Sequence, residues 1–311
     1  MIDPKPKAIL AGGSGFLGRE LATTLNDRGW ETVVLTRNPA RYRGAGRAIA
    51  WDGQTVGAWA TELEGAQLLV NLAGKNVNCR PTPANRRAIL ESRVDSVRVL
   101  GKALRSVEVP PTTWIQASSL AIYGDAGDTI CDESARVAEE WPANVCTAWE
   151  AALGEAALPH QRLVILRIGF VLGRRDGALP FLRTLARWGL GGRIGHGKQW
   201  ISWLHIADLN RIFLRCLEDE SLAGIFHATG PHPLTNAEMM RTIRHDVGGP
   251  FEHLSPPAPA WAVRIGAPMI GSDPTIALTG RHCLPGKLSR LGFTFHHPDF
   301  AAALRQLNTH P

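Results

Sequence analysis

Short apolar runs alternate along the chain with longer stretches whose hydrophobic residues recur at helical spacing. KAILA from Lys7 is the first run, followed by a glycine-rich turn and by FLGRELATTLNDRGW, which reads as an amphipathic helix ending near Gly29. ETVVLTR, AIAWD, AQLLVNLAG, TTWIQASS and RLVILRI repeat the apolar theme. Between the later runs lie ANRRAILESRVDSVRVLGKAL and WPANVCTAWEAALGEAAL, both helical in pattern. Strands alternating with helices predict an α/β fold, a doubly wound parallel sheet with its ligand at the carboxyl ends of the strands. A smaller α/β region follows. The expected division is a dinucleotide-binding domain over 1–175, joined by elements from about 200–230, a substrate-side region over 176–256, and a small module over 257–311. The Pro-rich stretch SPPAPAW from Ser255 reads as the linker before that module.

At 311 residues, 44% hydrophobic and 20% charged, the chain can bury a large core, and no stretch is apolar for long enough to span a bilayer. MIDPKPK does not begin a signal peptide. Five cysteines, odd in number and without a CxxC pair, indicate neither a disulfide framework nor a metal site. A soluble cytoplasmic protein, with no membrane partner, is the expectation. The net charge of +6 raises nucleic acid as a partner, but the basic residues are dispersed among acids, which argues against it. One basic cluster stands apart: TRNPARYRGAGR holds Arg37, Arg41, Arg43 and Arg47, and a local group of that kind suits a phosphate.

The turn after the first run supplies Gly12, Gly15 and Gly18 at G-x-x-G-x-x-G spacing. Each has a physical reason in a dinucleotide site: a tight turn, backbone approach to a pyrophosphate, and close packing of helix on strand. Ser14, Phe16 and Leu17 fill the same turn. A carboxylate at the end of the second strand would hold a ribose 2′-hydroxyl and repel a 2′-phosphate. Here Thr36 and Arg37 stand there, with Arg41 close behind, so NADP(H) is preferred to NAD(H). Arg43 and Arg47 are equally well read as solvated. Asp52, ending AIAWD, is placed to meet the adenine side. Asn71, Leu72, Ala73 and Gly74 end AQLLVNLAG with small or polar groups that admit a close ligand.

TTWIQASSLAIYGDAG carries a more specific signal. A strand ending in Ser118 and Ser119, followed by Tyr123-Gly124, resembles the active-site strand of the extended short-chain dehydrogenase/reductases. The resemblance implies that Ser119 hydrogen-bonds a substrate hydroxyl or carbonyl. It also implies that Ala117, Ser118, Ser92, Arg167 and Gly169 lie beside the cofactor. In that superfamily a Tyr-x-x-x-Lys pair on the next helix moves the proton, the lysine lowering the tyrosine pKa. This chain has Cys146-x-x-x-Glu150 at that place, and Glu150 reverses the sign of the help. NLAGKNVNCRPTPANRRAILESRVDSV, LRIGFVLGRRDGALP, GLGGRIGHGKQWISWLHIADL and CLPGKLSRLGFTFHHPDFAAAL narrow the resemblance. They are similar to an atypical, sugar-nucleotide epimerase-like branch of the NAD-dependent epimerase/dehydratase superfamily, which carries a C-terminal domain of unknown function. That branch implies NADP(H), a Rossmann fold and the missing Tyr/Lys pair. Cys79-Arg80-Pro81 and Ser119 depart from its usual residues.

Tyr123, Ser119 and Cys146 are the catalytic candidates, with Ser118, Glu133, His196 and His205 as further sources of a proton. Tyr123 is equally readable as packing in the pocket wall, His205 as structural at a strand-to-helix junction, and Arg167 as paired with an acid of the sheet rim. Trp200 and Trp203 could stack on a ring or fill core. Two functions stand: an NADP(H)-dependent oxidoreductase or epimerase-like enzyme on an unidentified small molecule, and a non-catalytic NADP(H)-binding sensor or regulator. A monomer and a homodimer through the two long helices are both compatible with the charges.

Overall fold

The computed structural model describes residues 5–309 apart from Leu254. β1 (Lys7–Ala11) runs through the glycine turn into α1 (Phe16–Asp27), and β2 (Glu31–Thr36), β3 (Arg47–Ala50), β4 (Leu68–Asn71), α2 (Pro83–Leu104) and β5 (Thr113–Ser119) follow. β6 (Ile130–Cys131), α3 (Trp141–Ala156), β7 (Arg162–Ile168), β8 (Phe170–Leu172) and α4 (Leu179–Arg187) come next, then β9 (Trp200–Ile201), β10 (Trp203–His205), α5 (Ile206–Glu218) and β11 (Gly224–Ala228). The chain closes with β12 (Leu234–Thr235), α6 (Asn236–Val247), α7 (Ala260–Met269), α8 (Thr275–Leu278), β13 (His282–Cys283), α9 (Gly286–Arg290) and α10 (Phe300–Thr309).

Seven strands form one parallel sheet in the order β11-β7-β5-β4-β1-β2-β3. The order reverses between β1 and β4, where Ala11 pairs with Asn71, so a crevice opens at the carboxyl ends of those two strands. The centres of β1, β2 and β4 are apolar because helices cover both faces, and Ile9, Leu10, Val33, Val34, Leu69 and Val70 are fully buried. α1 turns Leu21, Ala22 and Leu25 onto this sheet. Pro83 opens α2 behind Thr82, whose Oγ1 accepts from Asn85 N.

A second core gathers Leu172, Trp203, Met240, Ile243 and Leu304, joining α4, α6 and α10. The ion pair between Arg183 and Asp246, 2.9 Å, crosses it with both side chains buried. The last fifty residues are stitched to the rest. β13 pairs in parallel with β6, Cys283 beside Cys131, and Glu133 accepts from the backbone N–H groups of Lys287 and His227. The Pro-rich stretch is an ordered strap where a linker was expected. Ala258 N donates to Arg193 O at 2.9 Å and Ala258 O accepts from Gly195 N at 2.8 Å, and the strap lies so close that a Cβ on Gly192 would sit 1.9 Å from Pro256 O. Among the described residues no helix is long and apolar enough to cross a membrane.

Candidate active site

The glycine turn is built for close approach. Gly12 has φ +70°, and a Cβ there would meet Ala73 Cα at 2.6 Å; a Cβ on Gly18 would meet Gly13 Cα at 2.4 Å. Gly15 is the N-cap of α1, which has neither a capping side chain nor an acid in its first turn, so its N–H groups and dipole are unopposed for an anion. Thr36 Oγ1 donates to Ser14 Oγ at 2.9 Å and ties the turn to β2. Leu17 packs on the core, and Phe16 lies against Gly173 and Gly177, so both brace the turn. The arginines beyond β2 divide. Arg47 is bound to Glu62 and Glu31, and Arg43 donates to the carbonyls of Ala40 and Tyr42. Arg37 and Arg41 are exposed, with no ion-pair or hydrogen-bond partner among the described residues.

Asp52 is turned to local use. Its carboxylate accepts from Gln54 N, Thr55 N and Thr55 Oγ1, and the Thr55 hydroxyl and these amides pull its pKa down to about 2. Asn71 is fully buried; its Nδ2 donates to Gln116 and Ser96 while its Oδ1 accepts from Ala73 N at 3.0 Å, fixing Leu72, Ala73 and Gly74 at the crevice. Ser92 Oγ accepts from Lys75 N and donates to Ile89 O, so it shapes the same loop from α2.

Around the end of β5 the side chains form one buried network. Ala117 packs inward. Ser118 Oγ donates to Glu150 Oε1 at 2.6 Å, and Arg167 forks onto Glu150 with Nε to Oε1 at 2.9 Å and Nη2 to Oε2 at 2.8 Å. Arg167 Nη1 donates to the Tyr123 hydroxyl at 2.6 Å, which also lies 2.7 Å from Nε2 of His227 and 3.0 Å from the Asp132 carbonyl. His227 Nδ1 is 2.9 Å from the Leu284 carbonyl. A carbonyl only accepts, so Nδ1 carries the proton and Nε2 accepts from the phenol. Tyr123 is therefore 4% exposed, with its hydroxyl spent inside the protein and its pKa raised by burial. Its phenol closes the wall behind the site, and Arg167 pairs with an acid of the sheet rim.

The front of that wall is a cavity of about 340 Å³ at the carboxyl ends of β5 and β7. Ser119, Cys146 and Gly169 line it. Ser119 Oγ accepts from Ala121 N, which leaves its own proton for a ligand. Burial pushes the Cys146 thiol up to about 11, with Arg93 opposing and Glu150 adding to the shift, so the thiol is neutral at physiological pH. Gly169 carries no side chain because a Cβ there would meet Ser202 O at 2.4 Å. The remaining walls include Arg93 from α2, Trp141 from α3, Trp200 from β9, and Thr275, Ile276 and Arg281 from the last module.

The other proton candidates lie off the cavity. His205 Nδ1 caps α5 by accepting from Ala207 N, its ring 4.0 Å from that of His297. His196 is exposed, its Nδ1 accepting from Lys198 N. Glu133 is held by backbone amides, and Trp203 is core. Sequence reasoning missed Arg93, Arg281 and His227. Arg93 sits in a helix rich in charge, Arg281 in a loop and His227 in the edge strand β11, and none belongs to a motif that marks it.

Residues 8–227 match the NAD dependent epimerase/dehydratase family, and residues 258–307 match a domain of unknown function, DUF1731. The human epimerase family protein SDR39U1 is 32% identical over 308 residues, 97% of this chain and 99% of that protein. The epimerase family protein ML0860 of Mycobacterium leprae is 30% identical over 310 residues, 99% and 97% respectively. The crystal structure of human SDR39U1 (isoform 2) with NADPH superposes with a TM-score of 0.86 at 29% identity, covering 98% of this chain and all 100% of that one. A nucleoside-diphosphate sugar epimerase from Corynebacterium glutamicum superposes with a TM-score of 0.77 at 30% identity, covering 97% of this chain and 57% of its own. With the parallel sheet, the glycine turn and both matches in sequence order, the chain belongs to the NAD dependent epimerase/dehydratase family and carries DUF1731 after that region.

Proposed function

We propose that this protein binds NADP(H) across the carboxyl edge of its sheet and acts on a small molecule in the adjoining cavity, as an oxidoreductase or epimerase-like enzyme. The observation that carries the cofactor preference is the end of β2, where a carboxylate is replaced by Thr36 and the exposed, unspent Arg37 and Arg41. The NADPH held by the human relative supports it. When bound, the nicotinamide supplies or takes up a hydride. The chain supplies the proton. Ser119 directs its hydroxyl proton at a substrate oxygen, and the neutral Cys146 thiol beside it gives a proton as that oxygen gains charge. Arg93 steadies the thiolate that remains until water reprotonates it.

A specific observation favours a second reading, a non-catalytic NADP(H)-binding sensor. The acid that replaces the lysine, Glu150, is locked against Arg167 and Ser118, so α3 offers no cation to a cofactor ribose. Fluorescence titration with NADPH and NADH, on wild type and Arg37→Ala, tests the cofactor. NADPH should bind more tightly, and the variant should lose on the order of tenfold of that preference. Equal affinities in wild type would overturn it. Substrate-dependent NADPH oxidation lost in Cys146→Ala supports the enzyme; tight binding without turnover over a broad carbonyl panel supports the sensor.

A further inference from the structure

Two arginines line the cavity without a direct ion pair: the Arg93 guanidinium lies over the Trp149 ring, 5.1 Å from its centroid, and Asp125 and Glu140 act on Arg281 only from beyond ion-pair distance. Arg281 Nη2 donates to Thr279 Oγ1 at 3.2 Å, and Arg93 Nη1 donates to the carbonyls of Lys75 and Ile89. No carboxylate lies within ion-pair distance of either guanidinium among the described residues. Most of their N–H donors are unspent, and burial pulls both below the ordinary guanidinium value. A cation drawn partly out of water with no carboxylate against it carries a cost, and an arriving anion lowers that cost. Asp273, on the same wall, has its Oδ1 turned onto Thr275 N and Oγ1.

The rest of the cavity offers a polar ligand little. Ile89, Trp141, Val145, Phe170, Trp200 and Ile276 make its walls mostly apolar. The hydroxyls among them are already committed: Ser202 Oγ donates to the carbonyls of Arg281 and Cys283, Thr275 Oγ1 to Asp273, and Thr279 Oγ1 to Thr275 O. Only Ser119 among these wall hydroxyls keeps a proton for a guest. A hexose ring brought here would bury several hydroxyls without partners, each losing the hydrogen bonds it made to water. An apolar body costs nothing of that kind, and the side chains of Trp141 and Trp200 add apolar wall for it to pack against.

We propose that the substrate is a small apolar molecule, aromatic or branched, carrying one anionic group, a carboxylate or a phosphate, which Arg281 and Arg93 hold while Ser119 and Cys146 meet the reacting oxygen. This rests on the cavity being the substrate site proposed above. It departs from the sugar nucleotide that the epimerase label suggests.

The test titrates NADPH-loaded wild-type protein with 3-phenylpropionate, phenyl phosphate, the neutral isostere 3-phenylpropanol and UDP-glucose, following quenching of tryptophan emission. One or both anions should bind on the order of tenfold or more tightly than the alcohol and more tightly than UDP-glucose. The tighter anion identifies the head group. Arg281→Gln, checked for a native circular dichroism spectrum, should lose that preference, and Arg281→Lys should keep part of it. Tighter binding of UDP-glucose, equal binding of anion and alcohol, no binding of either anion, or an unchanged preference in a folded Arg281→Gln would each overturn the proposal. The wild-type comparison needs no variant to fold. NADPH affinity, read on the same wild-type sample before loading, reports on the cofactor reading alone, so the two can fail separately.

Discussion

The carboxylate of Glu150 and the guanidinium of Arg167 meet as a two-pronged ion pair, 2.9 and 2.8 Å, with side chains only 11% and 6% exposed. The pair joins α3 to β7. It turns the place of a superfamily lysine into a neutral, load-sharing joint, and Ser118 and Tyr123 complete it from either side.

Removing one member leaves the other charge buried. Glu150→Gln should lower the unfolding free energy by roughly 3–5 kcal/mol in a urea titration. The double change Cys146→Tyr with Glu150→Lys restores the superfamily's catalytic pair on paper, but sets an ammonium against Arg167. It should fold less well than wild type and gain no activity. A stable double variant would show that Arg167 has another partner available.

Two glycines with positive φ, one in the turn and one just after α1, separate two costs. Gly29 has φ +82° with open space around it, so Gly29→Ala should cost about 1 kcal/mol, the conformational term alone. Gly12→Ala adds a collision with the Ala73 backbone 2.6 Å away and should cost more, with NADPH affinity falling alongside. Paired denaturation curves and NADPH titrations on the two variants read both effects.

Burial holds His205 neutral and lowers its pKa to about 4, against 6.5 for the free side chain. Because the folded value is the lower one, the unfolded chain takes up this proton first as pH falls. The contribution is whole above about pH 6.5 and is lost on the way down to about pH 4, up to roughly 3 kcal/mol in all. His205→Asn keeps an N-cap acceptor for Ala207 and removes the titration. The variant should show a flatter dependence of melting temperature on pH across that window, and an unchanged slope would place the proton elsewhere.

A thiol with a pKa near 11 is almost wholly protonated at pH 7.5. Cys146 should therefore resist iodoacetamide while the half-buried Cys79 is labelled, and its rate should rise about tenfold per pH unit up to that value. Peptide mass spectrometry after timed alkylation distinguishes the sites. Rapid labelling of Cys146 at neutral pH would mean a thiolate and a nucleophilic role.

What the sequence disclosed was what short segments decide for themselves. Gly12, Gly15 and Gly18 are needed by a turn of seven residues, and the apolar run at each strand is needed by a sheet covered on both faces. Thr36 and Arg37 follow directly from where β2 ends. Tyr123 shows the opposite case: its neighbours in sequence suggest a catalytic phenol, but its hydroxyl points to His227, more than a hundred residues on, and is consumed there. The partners of Glu150 and the cations of the cavity depend on which distant segments fold together, and no local pattern encodes that.

The pairing of β13 with β6 has a consequence for how the protein is made. Thr275, Ile276 and Arg281 close the cavity from the far end of the chain. The seven-stranded sheet is complete once β11 has emerged from the ribosome, but these three residues of the cavity wall are still to come. A nascent or truncated chain thus has its sheet and glycine turn in place while the cavity still lacks the wall that the final segment of translation brings.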